Sequence, residues 1–140
     1  MLTLISEKII QNRIVSHFKT NYTVIEQCVD DPIGFPDIKL CKTHSIFGID
    51  VVAQKGDEMW IIEAKGETNG GLPATNAVFM SGIGQILSRI TRIDERIHYG
   101  LAIPNTDYFA TSVKKFINSP VLRTLNLYLI LVSEEIDFFI

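Results

Sequence analysis

The segment from Ile49 to Lys65 limits the folds open to this chain more than any other. Two runs rich in β-branched and aromatic residues, Ile49–Gln54 and Met59–Lys65, flank Lys55-Gly56-Asp57-Glu58. The Gly-Asp pair suits the two-residue turn of a type II′ or I′ β-hairpin. A loop of those two residues fixes the register, so that Gln54 faces Met59, Val52 faces Ile61 and Asp50 faces Glu63. Side chains alternate along a strand, which puts Asp50, Val52, Ile61, Glu63 and Lys65 on one face and Val51, Ala53, Trp60, Ile62 and Ala64 on the other. A hairpin apolar on both faces belongs inside a sheet covered on both sides, which predicts an α/β sandwich.

The rest of the chain supplies the covering layers. From Leu4 to about Lys19, Ile5, Ile9, Ile10, Ile14 and Phe18 recur with helical period, and Ser6 stands at the cap position. Tyr22–Gln27 reads as a short strand, and Asp30–Asp37, with two prolines and a glycine, as a loop after which order resumes near Ser45. Residues 66–76 read as a Gly, Thr and Asn-rich loop. Ala77–Ile93 follows as a helix with a core stripe of Phe79, Ile83, Ile86, Leu87, Ile90 and Ile93, and with Gln85, Arg89 and Arg92 on its polar, basic side. Then come a strand at Ile97–Ile103, a short helix at Asp107–Asn118, a buried strand at Leu125–Val132 and a short strand at Ile136–Ile140. The expectation is a three-layer α/β/α domain with a central mixed sheet spanning residues 1–140. Its core is 4–103, followed by a C-terminal helix and strands in 107–140.

Composition narrows the classes. With 140 residues, 46% of them hydrophobic and 21% charged, the chain has the size and apolar content of one globular domain. A net charge of −3 excludes a protein that coats nucleic acid nonspecifically, so any such contact must come from a local patch. The longest apolar run, Leu127–Val132, falls far short of the roughly 18 to 20 residues of a membrane span. No basic start precedes an apolar stretch, so a cytoplasmic location is the default expectation. Cys28, Cys41, His17, His44 and His98 are too scattered for a disulfide framework or a structural zinc site.

Asp50, Glu63 and Lys65 are three ionisable groups on one face of an otherwise apolar hairpin, and burying charge is costly unless it is paired or binds an ion. The two carboxylates face each other at about 5 Å between Cβ atoms in this register, and one lysine leaves the trio with one negative charge. Oxygen ligands with room for water and phosphate suit Mg²⁺, with Mn²⁺ as a substitute; the Cys and His that softer metals prefer are absent from the hairpin. Metal, water and a neighbouring ammonium together make a site for phosphodiester hydrolysis, with Lys65 orienting the water.

The segments Gly48-Ile49-Asp50-Val51-Val52 and Trp60-Ile61-Ile62-Glu63-Ala64-Lys65-Gly66 resemble the PD-(D/E)XK nuclease superfamily, restriction-endonuclease-like, and particularly the hairpin of archaeal Holliday-junction resolvases. The order helix, strand, hairpin, helix, strand over residues 4–103 is similar to that superfamily's core. The resemblance implies a Mg²⁺-dependent deoxyribonuclease acting in restriction, repair or recombination, with Asp50 and Glu63 as metal ligands and Lys65 in catalysis. It further implies Glu7, in the first helix, as a third ligand and Gln85 as a residue at the site or on the DNA backbone, with Arg89 and Arg92 binding phosphates beside it. Many such nucleases are homodimers, and the apolar segment 125–140 is available for an interface. The dipeptide Pro36-Asp37 lies in a proline-broken loop and is read as a decoy.

Plainer readings stand beside these. Glu63 and Lys65 could be a surface ion pair at a strand end, Glu7 an ordinary first-turn acid, and Gln85, Arg89 and Arg92 a solvated helix face. Tyr99 and Tyr108 could stack on bases, though core packing is the expectation for both. A catalytically inactive nuclease-like binding or assembly module is the alternative function.

Overall fold

The hairpin expected from the sequence is the second and third strand of a six-stranded mixed sheet. The computed structural model describes residues 4–24 and 49–139. Its elements are α1 (Glu7–Lys19), β1 (Thr23–Val24), β2 (Val51–Lys55), β3 (Glu58–Ala64), α2 (Gly71–Arg89), β4 (Ile97–Pro104), α3 (Asp107–Lys114), α4 (Pro120–Leu125), β5 (Leu127–Val132) and β6 (Ile136–Phe139). The strands lie side by side in chain order. β1–β2, β2–β3 and β5–β6 are antiparallel, while β3–β4 and β4–β5 are parallel.

The register of β2 on β3 is the expected one, with Gln54 opposite Met59 and Val52 opposite Ile61. Gly56 has φ of +60°, whereas Asp57 is not among the non-glycine residues with positive φ, which fits the II′ turn rather than I′. Both parallel connections step the same way across the sheet. Right-handed crossovers therefore place α2 and the α3–α4 pair on one face and leave the other to α1.

Burial follows that division. On the α2 face, Phe79, Ile83 and Ile86 of α2 with Phe109 and Val113 of α3 pack on Val52, Ile61, Tyr99, Leu101 and Leu129. On the other face, Ile10, Ile14 and Phe18 of α1 cover Val51, Ala53, Trp60, Ile62, Ala64 and Ala102. This is an α/β fold of helix, sheet and helix layers.

Three boundaries differ from the sequence expectation. α2 begins at Gly71, within the segment expected to be a loop, because positive φ at Gly70 and Gly71 turns the chain sharply and Pro73 sits in the first turn, where no intrahelical N–H is required. It stops at Arg89, since Ile90 is extended, which leaves Ile93 beyond the helix and 61% exposed; Leu87, within α2 but off its buried stripe, is 44% exposed, although the sequence reading places both in the core. The helix expected at Asp107–Asn118 is α3, which ends at Lys114; after Asn118 at φ of +67° a further helix, α4, follows at Pro120–Leu125, where the sequence reading placed none. The strand expected at Tyr22–Gln27 is described only at Thr23–Val24. Cys28, the loop at Asp30–Asp37, Cys41, His44 and the resumption near Ser45 lie outside the described residues.

Candidate active site

Asp50 sits at a bend just before β2, where the ladder with β3 has ended at Val51 opposite Ile62. Its side chain takes over from the missing strand: Oδ2 accepts the Ala64 backbone N–H at 2.8 Å and Oδ1 accepts from Gln11 Nε2 at 3.0 Å. The carboxylate is thereby aimed across the hairpin end at Glu63, which belongs to β3 and is 3% exposed. Burial is the main cause that pushes the Glu63 carboxyl up to about 7 from the 4.5 of a free glutamate. A bond from Arg89 opposes the rise and the Asp50 carboxylate adds to it.

Arg89 Nε donates to Glu63 Oε1 at 2.9 Å. The plainer reading of Glu63, a surface pair with Lys65, is overturned on both counts, since Glu63 is buried and its ion pair is with a helix residue. Lys65 is half-buried one residue past β3, with its backbone N–H on the Ala102 carbonyl at 2.9 Å. Its aliphatic stem runs beneath α2, where a Cβ on Gly82 would come within 3.2 Å of Lys65 Cγ and 2.7 Å of Leu101 Cδ1. The missing side chain of Gly82 lets the helix close down on the strand and aim the lysine along its end.

Glu7 reaches the same place from the opposite layer. It lies in the first turn of α1, whose start is capped by the Ser6 hydroxyl accepting from the Ile9 N–H. The chain after β3 is laced to this helix start: Glu67 N–H donates to the Ile5 carbonyl at 2.7 Å, and Ile5 N–H donates to Glu67 Oε2 at 2.8 Å. Between them Gly66 packs so tightly that a Cβ there would collide with the Glu7 backbone nitrogen. Partial burial raises the Glu7 carboxyl, the Asp50 charge raises it further, and Lys65 pulls it down, which is the signature of three groups sharing one field.

The structure thus brings Glu7, Asp50, Glu63, Lys65 and Arg89 together, and leaves Gln85 and Arg92 apart. Gln85 is exposed on α2. Arg92 lies beyond the end of that helix and pairs with Asp94 at 3.0 Å, while its carbonyl accepts the Tyr99 hydroxyl at 2.9 Å. Hydrogen bonds from Arg96 hold Asp94 well below the usual carboxylate range. The basic row expected along one helix face is therefore divided between the site, solvent and a turn.

Gln11 escaped the sequence reading, and Arg89 was expected on phosphate and not on Glu63, although a signal existed for each role. Gln11 stands four residues after Glu7, on the same side of α1. Arg89 prolongs the buried series Thr75, Phe79, Gly82 and Ile86 by a further step of three, so it points toward the sheet and not away from it.

Fully ionised, three carboxylates face two cations and leave one negative charge. Among the described residues no group of three or more His, Cys, Asp and Glu is arranged to hold a metal ion by itself. The donor chemistry nonetheless fits a hard divalent cation held by two carboxylates, with water and phosphate filling the remaining positions, as Mg²⁺ prefers. The buried Glu63 beside Asp50 is the pair that such an ion would relieve. No protein-family model, curated protein or solved structure matches this chain.

Proposed function

We propose that this protein is a Mg²⁺-dependent deoxyribonuclease of the PD-(D/E)XK type, hydrolysing DNA phosphodiester bonds. The observation that carries the reading is the buried Glu63 held against Asp50 at the open end of a hairpin, with Lys65 one residue past the strand. Asp50 and Glu63 would hold the ion, with Glu7 as a third ligand. Mn²⁺ would substitute. The bound ion supplies charge neutralisation at the phosphate and a more acidic water.

The chain's own residues do the rest. Gln11 and the Ala64 N–H fix the Asp50 carboxylate so that it need not reorganise during reaction. Lys65, packed under Gly82, would orient the attacking water by donating a hydrogen bond to it. Arg89 balances Glu63 from the α2 side, and Gln85, one helical turn before it, extends the approach for the DNA backbone.

Lys65→Ala tests the mechanism. Cleavage of plasmid, branched or single-stranded DNA in Mg²⁺ is expected to disappear while circular dichroism and Tm stay close to wild type; undiminished cleavage would sink it. One observation favours the second reading, a nuclease-like binding or assembly module: Glu63 is already paired with a cation of the chain's own, Arg89. That reading requires cleavage of none of these DNAs by the wild type and no heat of Mn²⁺ binding in calorimetry.

A further inference from the structure

A cavity of about 390 Å³ opens where the catalytic constellation ends, and Ile5 and Glu67, the two residues laced together beside Gly66, form part of its wall. Glu67 is two residues beyond Lys65 and Ile5 two residues before Glu7, so part of the cavity wall comes from the same two segments that carry those site residues. Phe109 contributes an apolar wall, Thr68 and Thr106 contribute hydroxyls, and Tyr108 lines the mouth. The volume lies within the roughly 300–1,000 Å³ of small-ligand sites.

Tyr108 is 52% exposed, which overturns the expectation that it packs in the core; Tyr99, by contrast, is fully buried. The ring is held in position all the same. It belongs to the first turn of α3, and its hydroxyl lies 3.7 Å from where a Cβ on Gly71 would stand, so it lies over the bare backbone that opens α2. The Glu67 carboxylate accepts the Ile5 N–H and is the one charged group among the described residues of an otherwise aromatic, hydroxyl-lined recess, where its negative charge disfavours a phosphate. Such a recess suits a flat, uncharged, hydrogen-bonding group and not a phosphate.

We infer that this cavity is a subsite for an unpaired nucleobase of the DNA whose phosphate is being cleaved, with Tyr108 as its stacking platform. The inference rests on the nuclease reading and names its substrate class: DNA with an unstacked nucleotide next to the scissile bond, such as a flap, a splayed end or a branch. A base within an intact duplex would have to be flipped out to enter, at a cost in unstacking and unpairing. A base already unpaired does not bear that cost, and stacking on one tyrosine is worth about a 5- to 150-fold preference.

The experiment compares a fully paired duplex with a flapped duplex of the same sequence, using wild type, Tyr108→Ala and Tyr108→Phe. In Mg²⁺ the wild type is expected to cleave the flap at least about fivefold better in kcat/KM. Tyr108→Ala should lose that preference while keeping its duplex rate, and Tyr108→Phe should retain it. In EDTA, 2-aminopurine at the first unpaired position is expected to be quenched on binding wild type and Tyr108→Phe but not Tyr108→Ala. Equal cleavage of both DNAs by wild type, or a preference and quench that survive Tyr108→Ala, overturns the subsite and leaves the nuclease reading intact. Cleavage of neither DNA by wild type overturns both.

Discussion

Replacing Glu63 with glutamine is expected to stabilise the protein while abolishing the proposed nuclease activity. Glu63 is 3% exposed and its carboxyl is pushed up to about 7, against 4.5 for a free glutamate. Below pH 4.5 the folded and unfolded chains both carry the proton and the residue costs nothing. As pH rises through 4.5 the unfolded chain ionises while the folded protein keeps its proton until about pH 7. Stability therefore falls across that window and the loss is complete above it. At 1.36 kcal/mol per pKa unit, a shift of that size amounts to about 3 kcal/mol at pH 8. Glutamine mimics the protonated acid, so Glu63→Gln recovers that amount, equivalent to a rise of about 10 °C in Tm for a domain of this length. Differential scanning calorimetry in EDTA at pH 4 and pH 8 measures it: the two proteins should melt together at pH 4 and diverge at pH 8. A variant that melts at or below wild type at pH 8 would show that the Arg89 ion pair outweighs the burial of the charge, and would refute the reasoning.

Two further substitutions probe the supports of the site. Gln11→Ala removes the donor on Asp50 Oδ1; outer partners of metal ligands contribute about 10- to 100-fold to affinity, so with Asp50 as the proposed ligand, Mn²⁺ binding by calorimetry should weaken by that factor with little change in Tm. Gly66→Ala drives a methyl group into the backbone of the α1 start. It is expected to lower stability by about 1–3 kcal/mol by chemical denaturation, and to lower cleavage further than the lost stability explains because Glu7 is displaced.

The hairpin was legible because three local rules agree on it: β-branched composition, Gly-Asp turn chemistry and period two. Once the turn was placed, the pairing of Val52 with Ile61 followed by counting; Asp50, expected opposite Glu63 within the strands, stands at a bend just before β2 and meets Glu63 through its side chain. The start of α2 was not legible, because Gly70 and Gly71 read as loop residues until tertiary packing fixes their left-handed backbone. The role of Arg89 was lost by treating charge as a sign of the solvent side. Its spacing from Gly82 and Ile86 placed it on the buried stripe, and the stripe decides where a side chain points. Glu7 could be assigned only through resemblance. The close contact of Gly66 with the α1 start, which brings Glu7 to the hairpin, joins segments about sixty residues apart and leaves no local trace beyond a glycine.

The pairing of Glu63 with Arg89 separates a site from a structural bridge. A buried ion pair rarely improves stability over apolar residues of the same volume, and here the carboxylate also faces the charge of Asp50. Every neighbour of Glu63 along β3, from Met59 to Ala64, is a buried apolar residue, so the strand would be more stable with one more. Glu7, Asp50 and Lys65 converge on the same point from two layers and three segments, held by Gln11, Gly66 and Gly82. An acid that costs stability is expected where the acid is used. The apolar sheet on both sides of the hairpin offsets that cost and keeps the carboxylates from relaxing apart.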